Sequence, residues 1–204
     1  MRYLLTILTL CIGLQLALAI SPEAMQEADL LFTAPREHNH ITEVTSRDSV
    51  LIDHVAIFHR IGGLNGLPCV IEATPRSGVC ITPLDSFLLR HKQDRILHAR
   101  LSCPFNVGPT ISKALTYVGR PYDHYFGATD SAIYCSELVL LSYSDASGRP
   151  IFSHIPMTFR NAVGIIPDFW VRHYRDIGQD VPEGEPGSNP AALLANPLIL
   201  LVSE

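Results

Sequence analysis

The chain has 204 residues, 47% of them hydrophobic and 17% charged: enough for one domain with a sizeable core, and too few charges for a disordered chain. Aspartate and glutamate number 20 against 15 lysines and arginines, a formal net charge of −5 at a pI near 6.0, which sets nucleic acid aside as a partner. No internal repeat is present at any period.

Residues 1–19, MRYLLTILTLCIGLQLALA, hold one charge, Arg2, followed by an apolar run from Tyr3 to Leu18. Ala17-Leu18-Ala19 offers the small residues a signal peptidase needs, and Ser21-Pro22-Glu23 opens polar sequence. The run falls short of the ~20 residues of a spanning helix. A secretory signal cut after Ala19 is therefore expected, with a secreted or periplasmic mature protein and no stable membrane span after cleavage.

Leu30-Leu31-Phe32 reads as a strand, led by a short helix or turn from Met25, and the polar, histidine-bearing segment 36–48 reads as loop. Residues 49–60, SVLIDHVAIFHR, form a second expected strand; Gly62, Gly63, Asn65 and Gly66 form a turn, and 69–74, CVIEAT, a third strand. Residues 78–81 give another, ended by Pro83, and 96–101 a further one. Ile111, Ala114, Leu115 and Val118 keep helical spacing over 109–118, with Gly119 as the stop. A second helix spans 135–143. Beyond Asp176 the chain turns rich in proline and glycine, and the apolar end, broken by Pro197, is expected to pack back as coil with room for a short strand. The pattern is one α+β domain over 20–178 with a C-terminal extension over 179–204.

Without the leader, four cysteines remain: Cys69, Cys80, Cys103 and Cys135. Their irregular spacing, with no C-x-x-C, argues against a metal knuckle. A catalytic cysteine among them stays free and leaves at most one bridge, for which Cys69 and Cys80, flanking a turn, are nearest; a reduced pair is the alternative. His38 and His40 form an H-x-H pair without a clear third ligand, so a solvated loop is expected rather than a metal site. Neither a metal nor another cofactor is expected.

His54, Glu72 and Cys135 stand out together. In a hairpin, paired residues share a constant index sum. A sum of 126 puts His54 opposite Glu72, whereas a five-residue loop over 62–66 gives 128 and leaves them diagonal on one face. Either register favours contact, and a carboxylate beside an imidazole fixes its tautomer and stabilises its protonated form. Asp53 is the other acid near His54, but adjacent strand residues face opposite ways, so Glu72 is preferred. Cys135 opens the helical run with Glu137 in its first turn, where dipole and unpaired amides favour a thiolate and can hold an oxyanion. Taken singly, each of the three also has an ordinary structural role open to it: a strand histidine, a surface acid paired with Arg76, a buried cysteine.

Asp29-Leu30-Leu31-Phe32, Asp53-His54-Val55-Ala56-Ile57, Val70-Ile71-Glu72-Ala73 with Gly78-Val79, Gly119-Arg120-Pro121-Tyr122-Asp123 with Phe126, and Tyr134-Cys135-Ser136-Glu137-Leu138-Val139 follow one another in the chain. In this order they resemble the YiiX/YaeF-like permuted papain-fold amidases, relatives of the NlpC-type cell-wall peptidases, over about residues 25–170. The resemblance implies an α+β, circularly permuted papain-like fold, a small antiparallel sheet or barrel packed against helices. It implies a cysteine peptidase or amidase with Cys135 as nucleophile, His54 as base and Glu72 as its orienting partner. Tyr134, Tyr122 and Asp123 are the expected substrate contacts, with His124 beside them; a turn held by Asp123 is the alternative there. The substrate class implied is a peptide or peptidoglycan-derived amide. The other readings are a lipid-directed acyl hydrolase or acyltransferase, for which the tail 193–201 could supply apolar surface, and a non-catalytic envelope binding module. Papain's oxyanion-hole glutamine has no counterpart upstream of Cys135, where Asp130 and Ser131 are the nearest polar groups, so the second oxyanion donor is unassigned.

Overall fold

The computed structural model describes residues 21–46, 50–127 and 131–203. The expected leader, the first residue of the 49–60 strand and Asp130 lie outside the described residues. Five strands follow in the first half: β1 (Leu30–Ala34), β2 (His54–Ile61), β3 (Leu67–Thr74), β4 (Gly78–Pro83) and β5 (Arg95–Leu101). β6 (Ile155–Pro156) and β7 (Pro186–Gly187) form a separate two-stranded ribbon, and β8 (Ile199–Ser203) is the final strand. The main sheet has the order β4-β3-β2-β1-β5-β8, antiparallel throughout and open rather than closed into a barrel. The chain after residue 178 thus supplies an edge strand of the sheet itself.

Strand alternation divides the apolar residues between two faces. Val55, Ile57, Ile71 and Ala73 point to one side, where α3 (Val107–Thr116) and α4 (Cys135–Ser142) cover them through Ile111, Leu138 and Val139. Ala56, Phe58 and Val70 point to the other, under α2 (Leu84–Arg90) and its Leu84 and Phe87. Fully burying one such leucine, isoleucine or phenylalanine contributes about 1.5–3 kcal/mol. A third cluster, Val44, Met157, Phe159, Trp170 and Tyr174, joins α1 (His40–Thr45) to α5 (Asp168–Asp176). α6 (Pro190–Leu194) completes the chain's helices among the described residues, and none of these is long and apolar enough to cross a membrane.

One expectation is corrected here and one open alternative is decided. The segment 36–48 is not all loop, because Asn39 caps α1, its side chain accepting from the Ile41 and Thr42 amides at 3.0 Å each. Of the two states left open for Cys69 and Cys80, the structure has the reduced one, and all four cysteines among the described residues are free. The register is the reason: Cys69 pairs with Pro83 and Cys80 with Glu72, so the two side chains leave opposite faces of the β3–β4 ladder.

Candidate active site

Cys135 is the first residue of α4, and the backbone of Tyr134 before it is extended. The Glu137 carboxylate reaches back to accept from the Tyr134 amide at 3.4 Å, an acid in the first turn where the helix dipole favours it. Nearly every residue of α4 is buried, so the helix is gripped on all sides and the cysteine is set by the core rather than by a loop. Cys135 itself is 5% exposed, its remaining surface bordering a pocket beside Tyr122, Phe126 and Tyr134.

Across the β2–β3 hairpin Ile57 faces Ile71 and Arg60 faces Pro68, the register of the five-residue loop. His54 and Glu72 are therefore diagonal neighbours on one face, and His54 Nε2 lies 2.8 Å from Glu72 Oε2. The carboxylate is fully buried and fully partnered. Arg90 Nη2 donates to both oxygens at 2.6 Å, and Thr82 Oγ1 donates to Oε1 at 2.6 Å. Burial alone would push the Glu72 carboxyl up, but its bonds with His54, Arg90 and Thr82 hold it down at about 2. With Nε2 engaged by Glu72, Nδ1 is the ring nitrogen left for Cys135, whose thiol is within hydrogen-bonding reach. Burial disfavours the charged ring, yet the hydrogen bonds and negative charges of Cys135 and Glu72 overcome it and raise His54 to about 10. The His91 ring stacks on His54 at 5.9 Å between centroids.

Of the other expected site residues, Tyr122 and Tyr134 line the pocket beside Cys135. Burial and the charge of Cys135 push the Tyr122 hydroxyl well up, so it stays protonated and able to donate. The Tyr134 hydroxyl accepts from the Ser188 amide at 3.0 Å, tying the segment after β7 to the cysteine. Asp123 does not line the pocket: it is buried, and its carboxylate holds a turn by accepting from the Tyr125 and Gly127 amides at 2.8 and 2.7 Å. Asp53 turns away from His54, accepting from Thr33 Oγ1 at 2.6 Å and Asn39 Nδ2 at 2.7 Å. His40 stacks on Phe169, at 4.2 Å between centroids. Glu72 pairs with Arg90 rather than Arg76. Arg90 and Thr82 were missed in the sequence; Leu84, Phe87 and Leu88 at helical spacing after Pro83 are the signal that would have revealed α2 and its last residue, Arg90.

Two openings flank this group. A narrow pocket borders Cys135, lined by apolar and aromatic side chains together with Thr45, Asp53, Ser136, Thr158, Ser188 and Asn189, while a wide cleft borders His54. Ile41, Asp53, Tyr122, Phe126 and Trp170 belong to both walls.

No curated protein matches the chain. Among solved structures it is similar to the crystal structure of the metalloprotein YiiX from Escherichia coli O157:H7, with a TM-score of 0.70 and 24% identity over 88% of this chain and 97% of that one. The metal of that description has no evident seat here: no group of three or more histidine, cysteine, aspartate or glutamate side chains converges to hold one among the described residues. The family model that matches describes a permuted papain-like amidase enzyme, YaeF/YiiX, C92 family, and it spans residues 24–202. With His54 ahead of Cys135 and both inside that span, the chain belongs to the permuted papain-like amidases of the YaeF/YiiX family, which are cysteine hydrolases.

Proposed function

We propose that this protein hydrolyses an amide bond of a peptide or isopeptide outside the cytoplasm, with cell-wall stem peptides as the substrate class. Cys135 is the nucleophile, His54 the acid and base, and Glu72 the positioning carboxylate. The observation that carries this reading is one imidazole held between the Glu72 carboxylate at 2.8 Å and the Cys135 sulfur, its protonated form stabilised by both.

In this scheme the Cys135 thiolate forms a bond to the substrate carbonyl carbon, and the carbonyl electron pair moves onto oxygen. The Cys135 amide at the start of α4 and the Tyr122 hydroxyl supply donors for that oxyanion. Collapse breaks the C–N bond, and the nitrogen leaves with the proton of His54 Nδ1. The thioester carries no negative sulfur, so His54 loses one of the charges that raised it and becomes a competent base. It takes a proton from water as the oxygen attacks the acyl carbon, the acid product leaves, and the thiolate–imidazolium pair is restored.

The substrate class and the location rest on the family and on the expected leader over 1–19. Purified protein is to be incubated with synthetic stem peptides, and new amines counted by mass spectrometry. Turnover by the wild type and none by a folded Cys135→Ala variant is expected; equal turnover by both would end the assignment. N-terminal sequencing of exported protein should begin at Ile20.

A further inference from the structure

His54, Glu72 and Arg90 are joined by a fourth side chain that the reaction scheme does not use. His91 caps α2, its amide donating to the Phe87 carbonyl at 3.1 Å. Its ring stacks on that of His54, with 5.9 Å between centroids and 13° between planes, and borders the same cleft. Arg90 Nε donates to His91 Nε2 at 3.2 Å, while Arg90 Nη2 donates to both oxygens of Glu72. The four side chains therefore close a circuit, from the His54 ring through carboxylate and guanidinium to the His91 ring and back across the stack.

The circuit fixes the protonation of His91. A guanidinium has no acceptor and keeps its protons, so the Nε2 that accepts from it carries none. The ring proton sits on Nδ1, 2.9 Å from Asp94 Oδ2, and the Asp94 amide donates back to the His91 carbonyl at 2.9 Å. Burial holds His91 below its ordinary 6.5, aided by the charges of His54 and Arg90 and opposed by Asp94. Of the strands under α2, β2 brings His54 to this group, β3 brings Glu72 through Arg90, and β4 brings Thr82, which does not titrate. The other titratable side chains of the cleft wall are His40, Asp53, Arg76, Tyr122, His124 and His173.

A second proton on His91 takes the Nε2 lone pair. Arg90 then loses its acceptor and meets a like charge, and the His54 imidazolium of the proposed scheme meets another across the stack. At 5.9 Å and an effective dielectric of ~20, two unit charges repel by about a hundredfold in an equilibrium constant. The repulsion is relieved when the His54 Nδ1 proton passes to Cys135 Sγ, leaving a neutral ring and a thiol.

Building on the amidase reading, we infer that His91 is a positioning residue for the thiolate–imidazolium pair: neutral, it holds the circuit closed, and its protonation returns the His54 proton to sulfur and sets the acid limit of the reaction.

Alkylation of Cys135 by iodoacetamide follows the thiolate without any substrate. Its rate is to be measured from pH 4 to 8 by peptide mass mapping, each protein normalised to its own maximum and its fold checked by circular dichroism at every pH. The wild-type rate should fall on acidification with a midpoint below 6.5. His91→Gln keeps an acceptor for Arg90 and takes no proton, so its acid limb should lie about one pH unit or more lower, a tenfold difference in relative rate on the limb. Asp94→Asn removes the charge that favours a protonated His91 and should move the limb the same way by less; it decides alone if His91→Gln does not fold. Limbs that coincide in all three proteins, or that move to higher pH in the variants, overturn the inference and leave the amidase reading standing. Wild-type Cys135 alkylated at pH 7 no faster than Cys80 and Cys103 overturns both.

Discussion

Replacing Glu72 by glutamine keeps the side chain's size and removes its charge from the centre of the site. The carboxyl is held at about 2 instead of 4.5, and at 1.36 kcal/mol per pKa unit this amounts to about 3 kcal/mol of stability at neutral pH. The sign follows from the direction: a carboxyl lowered on folding stabilises above its unfolded value of 4.5, and that contribution disappears as pH falls through about 2. In a domain of this size 1 kcal/mol moves Tm by roughly 2–4 °C, so E72Q should melt about 6–12 °C below wild type at pH 7. The gap should narrow steadily on acidification below pH 4.5. His54 supplies the catalytic readout. Its proton is held to about 10 by Cys135 and Glu72 together, so the alkaline limb of kcat/KM, where that proton is lost, should lie near 10 in wild type and lower in E72Q. Scanning calorimetry from pH 2 to 8 and a pH–rate profile on a peptide amide measure the two effects. A Tm gap as large at pH 2 as at pH 7, with an alkaline limb unmoved by the substitution, would refute the reasoning.

Tyr122→Phe removes a hydroxyl beside the sulfur and little volume; kcat should fall about 10²-fold with KM and Tm nearly kept, and an unchanged kcat would exclude the hydroxyl as an oxyanion donor. Gly78→Ala places a methyl carbon 2.1 Å from the Arg120 carbonyl oxygen at a backbone φ of +63°, so it should lower Tm and, by displacing the turn that leads to Tyr122, activity as well; a Tm equal to wild type would contradict that close approach. Alkylation of the denatured, unreduced protein freed of its leader should add four carbamidomethyl groups, and a mass showing only two would mean that a bridge exists.

The strands that build the site were legible because their residues alternate. In β2 and β3 the β-branched run, the glycine-rich turn and the even index sum together place His54 and Glu72 on one face, and the observed register is the one that a loop over 62–66 gives. The cysteine helix was legible for a similar reason, its apolar run starting at Cys135 with an acid in the first turn. The helices that finish the site were not read. α2 is seven residues long and follows Pro83, which marks the end of a strand equally well; without it Arg90 has no assigned place. α5 carries Trp170 and Tyr174 inward among arginines, a histidine and aspartates, so its mean character is polar and its apolar stripe is narrow. Asp123 illustrates the remaining difficulty, since an acid beside two aromatics looks the same in sequence whether it meets a substrate or two backbone amides.

Arg90, Glu72, His54 and Cys135 stand in a line: a cation beside an anion, then an imidazole, then a thiol. A buried ionised group is costly unless its neighbours compensate it, and in this row the fully buried Glu72 carboxylate is compensated on two sides, by Arg90 and His54. The row also has one end in water, since the Arg90 side chain is 43% exposed while that of Glu72 is fully buried. The row thus begins at the surface of α2, on the opposite face of the sheet from α4, and ends at the sulfur. The carboxylate faces α2 and its arginine, the imidazole at the first position of β2 reaches the thiol at the first position of α4, and the two helices communicate through a single ring. In the proposed scheme, acylation removes the sulfur from the groups that hold the His54 proton while Arg90 and Glu72 still neutralise each other, so the ring that has protonated the leaving amine is left as the base for water. On that reading the same ring serves as proton donor in the first half of the reaction and as proton acceptor in the second.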